Sequence, residues 1–168
     1  MVGIRRVLIM LCLAGAGAFA QAGPSAGAPE ARQTALAVFK ILQRQDWVAL
    51  YATVALSEGA TDGLPPRAED FAADVRKGIG RNQAAVDEVF GGMSDVAVGE
   101  AEIRGDYATL PTSCTITLRG QKVTFRGRAH LIRRHHAWKW DLTFSDNAED
   151  ATSRALTELV GKPPEGGK

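Results

Sequence analysis

The hydrophobic period of the chain changes near Val96, and that change restricts what it can fold into more than any other feature. Upstream, apolar residues recur at helical spacing. Ala35, Val38, Phe39 and Leu42 fall at i, i+3, i+4 and i+7, one face of a helix. Asp46 is placed to cap a second helix in which Trp47, Leu50, Tyr51 and Val54 repeat the spacing. The stretch SEGATDGLPP reads as loop. A third helix is expected after Pro65 and Pro66 with Phe71, Val75 and Ile79 inward. A fourth, capped by Asn82, carries Val86, Val89 and Phe90 and stops at Gly91 and Gly92.

Downstream the period is two. Two-residue turns are expected at Gly105-Asp106, Gly120-Gln121 and His135-His136, the last being unusual because both histidines would need positive φ. These turns pair Ile103 with Ala108 and Ala101 with Leu110. They pair Leu118 with Val123, Ile116 with Phe125, and Cys114 with Gly127. The third pairs Leu131 with Trp140, Ala129 with Leu142, and Gly127 with Phe144. All these residues lie on one face, and a one-residue slip in any hairpin would destroy that agreement. The reading is an α+β domain: N-terminal helices packed on a four-stranded antiparallel meander. After Phe144, SDNAEDATSRALTELVG adds a C-terminal helix with Leu156, Leu159 and Val160 inward.

The first residues have a different character. MVGIRR is basic, VLIMLCLAGAGAFA is apolar and too short to span a bilayer comfortably, and an A-x-A site ends at Ala20 or Ala22. We read residues 1–22 as a cleaved signal peptide, 23–30 as a flexible leader, 31–160 as a single domain and 161–168 as a disordered tail. The expected location is secreted or periplasmic, with no stable membrane anchor. Of the two cysteines, Cys12 would leave with the signal, so Cys114 would remain without a partner for an internal disulfide.

Charge is distributed unevenly. No acid occurs from Tyr107 to Trp140, where Arg119, Lys122, Arg126, Arg128, Arg133, Arg134 and Lys139 all fall, within a chain of net charge +1. Strand alternation puts Arg126, Arg128, His130, Lys139 and Asp141 on the polar face and both Trp138 and Trp140 on the apolar one. His130 and Asp141 are expected as a solvated cross-strand pair of small energetic value. The dense string GRAHLIRRHHAWKWDLTF is therefore two faces and a turn read in one line. It holds no HExxH or H-x-H pair, so no metal and no cofactor is expected. Cys114 sits among the small residues Thr112, Gly127 and Ala129, with larger apolar residues around them. Either a helix packs closely there or a cavity opens. No histidine shares the face to activate the thiol. For a ligand pocket the candidates are Tyr51, Thr112, Cys114 and Trp140; for a partner surface they are Arg126, Arg128, His130 and Lys139. No catalytic residue is assigned.

The helix pair with its QDWVALY corner, the turn RGDYATL, and a late hairpin with Trp138-Lys139 resemble the nuclear transport factor two-like superfamily, which includes ketosteroid isomerase-like proteins. The resemblance covers about Ala31 to Phe144. It implies a cone in which a curved sheet, closed by helices, forms a pocket. The superfamily hosts isomerases, epoxide hydrolases, dehydratases and many non-catalytic binding domains, so it implies no single function. Its catalytic members place aspartates, histidines or tyrosines inside the cone, whereas the inward sheet positions of this chain hold no Asp, Glu or His. The chain also departs in its extra helical pieces and its C-terminal helix.

Three functions are compatible with this reading. The first is a non-enzymatic domain binding a small, largely apolar ligand or a protein partner. The second is an isomerase- or hydrolase-like enzyme using Tyr51 with a helix carboxylate, Asp46 or Asp74. The third is an interaction protein using the basic sheet face, which could alternatively serve a homodimer. Nucleic acid is not an expected partner of an exported protein.

Overall fold

The computed structural model describes residues 27–56 and 63–142. The expected signal peptide, C-terminal helix and tail, and Phe144, lie outside the described residues. Among the described residues four α-helices precede the main sheet strands: α1 (Ala28–Gln43), α2 (Trp47–Thr53), α3 (Ala68–Ile79) and α4 (Gln83–Gly91). A two-residue strand, β1 (Val54–Ala55), follows α2 directly. The others are β2 (Met93–Val98), β3 (Glu102–Arg104), β4 (Tyr107–Leu118), β5 (Gln121–Arg134) and β6 (Ala137–Asp141). The protein is α+β, as its two hydrophobic periods require.

Local chemistry sets the helix ends. The Asp46 carboxylate accepts from the Ala49 amide at 3.0 Å, satisfying one of the orphan donors at the start of α2. Asn82 occupies the cap position of α4 but makes no side-chain cap bond, because Gly80–Asn82 form a 3₁₀ turn leading into the helix. The carbonyl of Gly92, just past α4, accepts from the Thr117 amide and ties the helix end to β4.

The sheet runs β1-β6-β5-β4-β2, with β3 also paired to β4. The expected first strand is thus two pieces, β2 and β3, both on the same edge of β4. A register shift between Ser94 and Ala97 interrupts β2. The parallel pairing of β1 with β6 is not visible in the sequence pattern, since it depends on where the α2 corner delivers two residues. Helix α1 guards the outer strand: Arg32 Nε donates to the Val98 carbonyl at 2.8 Å and Gln43 Nε2 to the Met93 carbonyl at 2.9 Å. Occupying edge carbonyls in this way blunts edge-to-edge association.

The first and third turns fall where the sequence places them. Gly105 takes φ 60, and His135 and His136 take φ 50 and 66. Arg104 pairs with Tyr107, and Arg134 with Ala137. The second turn differs. It is Arg119-Gly120 rather than Gly120-Gln121, with φ 49 and 78, and Leu118 pairs with Gln121. A right-twisted hairpin favours positive φ at both central residues, and Gly at the second of them matches the Asn-Gly preference. The correction moves the register by two. Every side chain keeps its face, but Cys114 now opposes Phe125, and Thr112 opposes Gly127.

One core joins the helices to one sheet face. Ala31, Ala35, Val38, Phe39 and Leu42 of α1 share a cluster with Leu110, Cys114, Ile116, Phe125, Ala129, Leu131 and Trp140. Phe39 meets Trp140 edge-on with centroids 5.7 Å apart, and Trp47 meets Phe90 at 5.8 Å. Each such pair contributes about 0.5–1.5 kcal/mol beyond its buried area. The described helices therefore cover one face of the sheet and leave the other outside this core.

Candidate functional site

The apolar-face candidates are built into the core. Trp140 and Cys114 are both buried and belong to the main cluster. Phe125 stands across from Cys114, placing a ring where the expected pairing had only Gly127. Thr112 is half-buried between Val98 and Gly127 on its two neighbouring strands. Burial pushes the Cys114 thiol up to about 11, so it is protonated at neutral pH and is a poor nucleophile.

Tyr51 is separated from that group. Its ring packs against Phe71 at 5.6 Å, and its hydroxyl donates to the Pro65 carbonyl at 2.8 Å. It joins α2 to the segment before α3. Asp46 is engaged at the α2 cap, and Asp74 is exposed. The Tyr51–carboxylate pair that an acid–base mechanism would need is not assembled among the described residues.

The opposite face is polar over most of its area. On β4 it carries Tyr107, Thr109, Pro111, Ser113, Thr115 and Thr117. Facing them on β5 are Ile132, His130, Arg128, Arg126, Thr124 and Lys122, in that order. The result is a column of hydroxyls beside a column of cations. Lys122 and Arg126 are exposed and Arg128 is half-buried. Among the described residues these three form no ion pair. Thr115 and Thr124 bring their hydroxyls to 3.5 Å.

Two other predicted residues are engaged. His130 Nδ1 lies 3.4 Å from the Thr109 hydroxyl. Lys139 is opposite Ile132, and its ammonium donates to the Ala52 carbonyl at the end of α2. Of the four partner-surface candidates, Arg126 and Arg128 are the ones presented outward without a protein partner among the described residues.

Asp141 requires a correction. It is not solvated, as expected, but fully buried beside β1, opposite Ala55. Ile132 is likewise fully buried, although it lies on the polar face by alternation. Parity gave the correct face for both. Their burial depends on what packs at that end of the sheet, which alternation does not encode.

Tyr107 was missed by the sequence reading. It is 45% exposed, on the same face as the cations, and Val48 is the other large hydrophobic left exposed among the described residues. The signal was available, since Tyr107 shares the parity of Thr109 and Ser113. The histidines of the third turn are exposed at its tip. Among the described residues no group of three or more His, Cys, Asp or Glu gathers as a metal site would need, and no helix is long and apolar enough to cross a membrane.

No family model matches the chain, and no curated protein matches it. Solved structures do match. One is described as an LEH-like epoxide hydrolase of M. tuberculosis, with 14% sequence identity, 80% of this chain and 97% of that chain covered, and a TM-score of 0.39. At that identity no residue role is transferred.

Proposed function

We propose that this chain is an exported, non-catalytic binding domain of the nuclear transport factor two-like kind that presents the polar face of its sheet to an anionic partner. One observation carries the reading. The described helices pack on one sheet face, while the other offers Lys122, Arg126 and Arg128 without an intervening acid on β4 or β5. A coherent field of one sign attracts and orients a partner of the other. The basic, apolar start of the chain supports export. The core placement of Cys114 and Trp140, and the Pro65 partner of Tyr51, favour this face over the two alternatives that work from within the fold.

The test is equilibrium binding of the purified chain to dextran sulfate at 50 and 200 mM NaCl. Exposed charges are screened over about 10 Å at 0.1 M salt, so affinity should fall roughly tenfold or more between the two conditions. The charge reversals Arg126→Glu and Arg128→Glu together should abolish it. Binding that ignores salt, or no binding at 50 mM, would refute the proposal.

A further inference from the structure

The geometry points to a linear acidic polysaccharide as the partner of this face. The inference rests on the binding reading above and deepens it. Shape comes first. The outward residues of β4 from Tyr107 to Thr117, none of them buried, span ten residue steps, so at the ordinary strand rise the surface is roughly 33 Å long. It is the width of two strands, β4 and β5, whose residues pair without interruption from Tyr107↔Ile132 to Leu118↔Gln121. A long, narrow strip, open to solvent except at buried Ile132, suits an extended chain better than a compact ligand.

The chemistry is mixed in a way that suits sugars carrying carboxylates. Arg126 and Arg128 supply guanidinium forks that match a carboxylate in two-point geometry. Ser113 faces Arg126 across the strands, and Thr115 and Thr117 continue the hydroxyl column. A hydroxyl both donates and accepts, as the hydroxyls of a sugar ring do. Tyr107, 45% exposed at one end of the strip, offers an aromatic face with a polar tip against which the C–H face of a sugar can lie.

Two other polyanions fit less well. A protein partner concentrates its binding energy in desolvated pockets that hold aromatic or Arg anchors. This strip presents one exposed aromatic and otherwise short hydroxyl side chains and cations. A membrane-lying surface needs apolar side chains to bury in the interface as well as basic ones. Tyr107 is the one large exposed hydrophobic on the described part of this face.

Three polymers separate these cases, each titrated against the purified chain at 50 mM NaCl: polygalacturonate, neutral dextran and poly-L-glutamate. The expected order is polygalacturonate at least tenfold tighter than poly-L-glutamate, with dextran not bound. Tyr107→Ala and the pair Ser113→Ala/Thr115→Ala should each weaken polygalacturonate at least fivefold while changing poly-L-glutamate less than twofold. Tyr107→Phe should restore most of the loss if the ring face is what matters. All the altered side chains lie outside the core, and thermal melts of each variant verify folding. Equal affinity for the two acidic polymers, insensitive to Tyr107→Ala, would overturn the polysaccharide assignment and leave the basic face as a surface for acidic polypeptide. Tighter binding to anionic phospholipid vesicles than to polygalacturonate would overturn it in favour of a membrane surface. Failure to bind any polyanion would overturn the binding reading as well.

Discussion

Two adjacent glycines should respond in opposite directions to the same substitution. Gly91 ends α4, and Gly92 follows it with φ −84 and ψ −1, angles that alanine adopts freely. Backbone preference therefore does not separate them; space does. A Cβ on Gly91 would meet nothing within 4 Å. A Cβ on Gly92 would lie 2.6 Å from the Thr117 carbonyl oxygen and 2.7 Å from that of Glu88. Both obstacles are backbone, so no side chain can rotate away: either the end of α4 or strand β4 must move. Gly92 also sits at a junction, donating to Glu88 O at 2.8 Å and accepting from Thr117 N at 3.0 Å. Overpacking costs about 1–3 kcal/mol, and weakening one of those bonds adds about 1, so Gly92→Ala should lose about 2–4 kcal/mol. Gly91→Ala should gain about 0.4–1 kcal/mol by restricting the unfolded chain. Urea denaturation measures both. With a slope of about 1–3 kcal/mol/M, the midpoint of Gly92→Ala should fall by about 1 M or more, and that of Gly91→Ala should rise slightly. If Gly92→Ala lies within about 0.5 kcal/mol of wild type, the α4–β4 contact does not constrain this position.

Three further outcomes follow from the same geometry. Cys114 should resist Ellman's reagent at pH 8 and react once urea unfolds the chain, since burial holds its thiol at about 11 against an ordinary 9.0. Its folded pKa is raised, so its contribution to stability is complete below pH 9 and is lost between pH 9 and 11; the difference between wild type and Cys114→Ala across that window should show the slope. Replacing the third turn by His135→Asn/His136→Gly should raise stability by about 0.5–1 kcal/mol, because positive φ costs an ordinary residue more than the entropy a glycine adds; a lower melting temperature would mean that the imidazoles hold the turn. Asp46→Ala should cost about 1 kcal/mol in urea denaturation through the lost α2 cap, and Asp46→Asn should keep most of it.

The sequence by itself determined the α+β class, the inward faces of the helices apart from Val54, which was expected on α2 and lies on β1, and the faces of the β4, β5 and β6 residues. The physical reason is that a side chain's face depends on parity, and parity survives any even shift. The second hairpin demonstrates this: its turn moved by one residue and its register by two, yet Cys114, Ile116, Phe125 and Ala129 remained inward and Arg126 and Arg128 outward. What stands opposite what did change. Tertiary structure put Phe125, not Gly127, across from Cys114, and so put a ring where the sequence suggested space. It also decided the parallel pairing of β1 with β6, the burial of Asp141 and Ile132, and the bond from Lys139 to Ala52. The β1–β6 pairing and the Lys139 bond join residues far apart in the chain, and a local pattern of period two holds no information about contacts at that separation.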